Sequence, residues 1–202
     1  MGRDDGPDEE FMLEYEREYA ASGGDYDDEA PEPERTPGPI NWNLLTAAEA
    51  EREWADLNAW VYWLRVTFGL SPTILPPYWH RHDELIWELS ALHTYFLTCY
   101  ANDAPATGPI GWMREFAEAR HRLRDWVAQC GTRLDRDRPT RQTTWPGEHV
   151  QPQEPEVAIV DRAGDFAAFV HADVTRRQAL EDAIRASLRP DLHDTSTGAR
   201  AP

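Results

Sequence analysis

Between residues 54 and 130 large apolar side chains return every third or fourth position in three separate runs, each closed by glycine or proline. That period is helical, and the breaks keep the runs from joining into one rod. The first run is Trp54, Leu57, Val61, Leu64 and Phe68, widened by Trp60 and Trp63. Thr46 and Glu49 stand three residues apart, as a capping box requires, and Gly69 supplies the stop. The second run is Leu85, Leu89, Leu92, Phe96 and Tyr100; the third is Trp112, Phe116, Ala119, Leu123, Trp126 and Cys130, ended by Gly131. Pro72, Pro76 and Pro77 interrupt the first connection, and Pro77 suits the first turn of the second helix, where its missing N–H costs nothing. Three amphipathic helices with short connections predict an all-α fold, a small antiparallel three-helix bundle over residues 41–131. Eight of the nine tryptophans fall between 42 and 126, so a few large side chains carry much of the buried area.

The flanks differ in kind. Residues 1–40 hold 14 acidic residues against 3 arginines and account for most of the net charge of −17. A segment that acidic, with repeated Gly and Pro, predicts a disordered arm. Within it Phe11, Tyr15 and Tyr19 share one side of a potential short helix, an acidic-aromatic docking motif for a protein partner. Residues 132–156 read as a linker in which Trp145 is expected to dock on something, and residues 157–189 as a C-terminal helical segment. There "VAIV" fits a short strand or the lead-in to a helix, and Phe166, Val170, Val174, Leu180, Ile184 and Leu188 fall roughly on one helical face. Residues 190–202 read as a disordered tail.

Charge and cysteine usage exclude several functions. All twenty basic residues are arginine and none gathers into a basic face, which disfavours direct nucleic-acid binding by counterion release. A nucleic-acid-related accessory role, or a DNA mimic built from carboxylates, remains as an alternative. Cys99 and Cys130 fit no metal-finger spacing and lie on apolar faces, as buried free thiols would. With no apolar run of membrane length and no secretory segment, the expectation is a cytoplasmic monomer or homodimer.

One stretch, "LPPYWHRHDE", offers chemistry. At helical spacing His80 and Glu84 are four residues apart and would face one ion, with His121 or His93 as a third ligand: a metal-dependent enzyme in outline. His80 and His82 would point about 200° apart on a helix, so only an extended backbone brings both to one side. The plainer expectation is structural: Trp79 anchors the helix start, and Asp83 and Glu84 sit at the positive end of its dipole. No GxSxG, P-loop or GxGxxG motif occurs, so the sequence predicts no catalytic residue, no cofactor and no metal.

From "WADLNAWVYWLRVTFGLSPTILPPYWHRHDELIWELSALHTYF" through "WMREFAEARHRLRDWVAQCG" the chain resembles an uncharacterised family of small helical actinobacterial proteins found on plasmids, integrative elements and phages. Members often carry Cys-Trp where Tyr78-Trp79 stands, and Pro where Asp83 stands, so neither Tyr78 nor Asp83 is an obligatory chemical group. The resemblance implies a helical domain in a mobile-element setting and transfers no activity. The expected function is a non-enzymatic protein-interaction module, with Trp60, Trp63 and Trp87 as exposed anchors for a protein partner.

Overall fold

The computed structural model describes residues 38–140, 143–149 and 155–188, and these are mostly helical. Phe11, Tyr15, Tyr19 and the tail at 190–202 lie outside them. The described elements are α1 (Ala47–Phe68), a 3-10 turn (Trp79–Arg81), α2 (Asp83–Cys99), α3 (Gly108–Cys130), the two-residue strands β1 (Arg136–Asp137) and β2 (Val157–Ala158), and α4 (Arg162–Ser187). Among the described residues no helix is long and apolar enough to cross a membrane.

The expected local signals act where they stand. Thr46 Oγ1 accepts from the Glu49 amide at 3.2 Å while the Glu49 carboxylate accepts from the Thr46 amide at 3.0 Å, completing the capping box of α1. Gly69 and Gly131 close α1 and α3 at φ of 57° and 75°, the left-handed region where a Cβ is penalised. Trp54, Leu57, Val61 and Leu64 of α1, Leu85, Leu89 and Leu92 of α2, and Trp112, Phe116 and Leu123 of α3 are all buried in one core. Near the end of α3 the buried position is Val127, and Trp126 is 37% exposed, so the inward step there is four residues rather than three.

The helices pack as a series: α3 lies along α2, α2 along α1, and α4 along α1. α1 also meets α3 through Phe68, whose ring sits 4.6 Å from Phe116 and 5.8 Å from Trp112. The C-terminal helix therefore belongs to the fold. Ala47 N–H donates to Glu181, Trp54 Nε1 to Asp173 at 3.1 Å, and Arg162 to Asn58, which sets α4 antiparallel to α1. Phe166, Phe169 and Val170 pack against the core, but Leu180, Ile184 and Leu188, expected on the same face, are exposed. Residue 180 falls between inward positions Arg177 and Glu181, and α1 begins opposite Glu181, leaving Ile184 and Leu188 with no helix beneath them among the described residues.

Two boundaries need correction. Pro77 precedes the 3-10 turn instead of opening α2, because His82 is extended (φ −121°, ψ 106°) and caps α2 itself. The linker expected at 132–156 is folded at its start: Asp137 pairs with Val157 and Arg136 with Ala158 in an antiparallel ribbon, and Thr132 and Asp137 are buried. "VAIV" thus begins as a strand. Trp145 is 70% exposed and docks on nothing among the described residues. Cys99 and Cys130 are buried free thiols, as expected.

Candidate functional site

The proline-rich connection is itself core. Ile74, Leu75, Pro76, Tyr78 and Trp79 are buried, and the 3-10 turn that follows holds Arg81 outward between two inward histidines. His80 and His82 both have zero exposure but face different partners.

His80 turns toward α4. Its Nε2 lies 2.7 Å from Asp165, whose carboxylate also takes both arms of the Arg81 guanidinium. Burial pushes the His80 pKa down to about 4, against the pull of Asp165, so the ring is neutral and donates Nε2–H. Among the described residues its Nδ1 has no hydrogen-bond partner. Desolvation would raise the Asp165 pKa, but Arg81 and His80 hold it below the usual carboxylate range. Phe166 and Phe169 pack edge-on to the His80 ring, at 5.2 and 5.3 Å.

His82 turns toward the ribbon. Nε2 sits 2.9 Å from Asp137 Oδ1, which also accepts from Thr132 Oγ1 at 2.9 Å. Nδ1 sits 3.1 Å from Thr140 Oγ1, and that hydroxyl donates to Glu84 at 2.6 Å. Burial works against charge on His82, but the Asp137 carboxylate and the Cys130 sulfur outweigh it and raise the pKa to about 9. One ligand atom each from His82, Glu84 and Cys130 lie within 4.8 Å of one another. Arg81 Nη1, 3.8 Å from Asp137, links this cluster to the Asp165 side.

The trio expected from helical spacing, His80, Glu84 and His121, is not the one that assembles. Residue 80 belongs to the 3-10 turn and not to α2, so the four-residue rule does not apply to it; His121 is exposed on α3. Asp137 and Cys130 were missed because nothing local marks them: one sits in a polar stretch, the other closes an apolar stripe.

A second feature is a cleft of about 400 Å³ where α4 crosses the N-terminal ends of α1 and α2. Trp42, Trp54, Ile86, Trp87 and Phe169 line it with Asp83, Asp173, Arg176 and Arg177. Trp42 donates Nε1–H to Ser90 at 2.7 Å, which fixes its indole as one wall. Trp87 is 39% exposed and Trp63 is 38% exposed, as anchors need to be; Trp60, at 7%, is a core residue stacked on His93 and not an exposed anchor. Trp63 instead contacts Phe96 at 5.1 Å on a different stretch of surface.

Compared with known proteins, the chain matches no family model, no curated protein and no solved structure.

Proposed function

We propose that this chain is a non-enzymatic protein-interaction module whose docking element is the cleft between α4 and the starts of α1 and α2. The observation that carries the reading is its lining: indole and phenyl walls open to solvent at Trp87, beside the guanidinium of Arg176, whose side chain is 68% exposed. Concave apolar surface with a few polar groups is what an anchoring side chain needs, and Trp and Arg are favoured at such centres. The partner we infer presents a large apolar side chain with a carboxylate nearby, the first for the indoles and the second for Arg176. The resemblance of residues 54–131 to actinobacterial mobile-element proteins supports an accessory role in that setting, in the cytoplasm, with the three helices of residues 41–131 as the scaffold bundle.

The test is site-specific crosslinking in the full-length chain, in cells of its host. A photo-reactive phenylalanine analogue replacing Trp87 should capture a discrete protein, and one replacing Arg124 on the exposed face of α3 should not. Arg176→Glu should weaken the capture several-fold. Equal adducts from both positions, or capture that survives filling the cleft with Ala172→Trp, would refute the proposal.

A further inference from the structure

We propose that His82, Glu84 and Cys130 form a structural binding site for a divalent, zinc-like cation. This is independent of the cleft and of any partner. The three side chains come from the cap of α2, its first turn and the last residue of α3, and they converge under the ribbon that carries Asp137. One imidazole, one carboxylate and one thiolate are the donor types that borderline-soft divalent ions select.

The geometry assigns the liganding nitrogen. Nε2 is taken by Asp137, and Nδ1 is the atom 3.9 Å from Glu84 Oε1. A carboxylate on the far ring nitrogen is the arrangement that fixes the tautomer and raises the basicity of a metal-bound imidazole. Here that carboxylate is itself held by Thr132 Oγ1, at 2.9 Å. Ligand atoms in tetrahedral zinc stand about 3.3–3.8 Å apart, from bond lengths of about 2.0–2.3 Å. The present spacing, 3.9 Å for the nitrogen–carboxylate pair and no more than 4.8 Å across the set, closes to that with a contraction of roughly 1.3 Å or less. Thr140 Oγ1, in hydrogen-bond range of both Nδ1 and Glu84, stands where a fourth oxygen ligand or a water completes the set.

Loading exchanges protons for the ion: the S–H proton of Cys130 and any proton on Nδ1 pass to solvent as the cation binds, leaving a thiolate and a free Nδ1 lone pair as ligands. The bound ion would staple the start of α2 to the end of α3. His82 and Cys130 are almost wholly buried and the Glu84 side chain is 14% exposed, so the donors themselves are largely shielded from solvent.

Cobalt titration of the full-length protein tests this. Co(II) should raise a thiolate-to-cobalt charge-transfer band that saturates at one equivalent and is bleached by zinc. Cys130→Ser should abolish the band, and Cys99→Ser, at the other buried cysteine, should leave it intact. Should Cys130→Ser fail to fold by circular dichroism, Glu84→Gln serves in its place and should weaken cobalt binding at least tenfold. No band in the unaltered protein, a band retained in folded Cys130→Ser, or undiminished affinity in Glu84→Gln overturns the proposal.

Discussion

His93 should make the protein lose stability in acid. Its ring lies on α2, stacked on Trp60 of α1 with centroids 4.8 Å apart and planes 27° from parallel, and the residue is 8% exposed. Burial alone lowers its pKa from 6.5 to about 4, with no charged group contributing. The unfolded chain therefore takes up the proton first. Stability from the neutral ring is complete above pH 6.5 and is lost as pH falls toward 4. At about 1.4 kcal/mol per pH unit, the full loss approaches roughly 3 kcal/mol, and about 2 kcal/mol of it is gone by pH 5. One effect opposes this: a protonated ring over Trp60 gains a cation–π attraction of about 0.5–2 kcal/mol. Desolvation outweighs it in this site. The assay is urea unfolding of wild type and His93→Phe at pH 7.5 and pH 5. The variant keeps a stacked ring that cannot take a proton, and every other titrating group, His80 included, is common to both. Stability of His93→Phe relative to wild type should improve by about 2 kcal/mol on acidification. Parallel losses in the two proteins would refute the reasoning and show that the indole compensates the charge.

Two further outcomes follow from packing. At Gly108 an added Cβ would sit 2.6 Å from the Cys99 carbonyl oxygen, where the end of α2 meets the start of α3, so Gly108→Ala should cost about 1–3 kcal/mol in urea unfolding. Asp173 accepts from Trp54, Arg176 and Arg177 at the centre of the α1–α4 contact; Asp173→Ala should cost about 1–3 kcal/mol and release amide-exchange protection in α4 before α2.

What the sequence made legible was local. The capping box at Thr46, the glycine stops and the apolar runs of α1 to α3 depend on residues within a turn or two of each other, and they stand as read except near the ends of two runs, where Tyr100 and Trp126 are exposed. The register of α4 was legible only to Val174; beyond it, exposure of Ile184 and Leu188 depends on where α1 happens to begin. The histidine cluster was half legible. "HRHDE" singled out the right stretch, but which histidine meets Glu84 depends on a 3-10 turn and an extended residue where a helix was expected. Asp137 could not be found at all: a carboxylate between arginines reads as surface, and its burial comes from a ribbon formed with residues twenty positions on. Trp60 and Trp145 show the same limit from the other side, since an indole gives no sign in sequence of which way it turns.

The segment from Ile74 to Trp79 joins two helices yet fills the space between them, with five of its side chains shut away from water. Ordinary connectors can be lengthened, spliced or cut with little harm, because they run outside what they connect. This one is a keystone. Insertions and proteolytic nicks of the kind expected to do little harm at the exposed residues 143–149 would open the molecule at 74–79, so change in this chain has to be routed around that wedge.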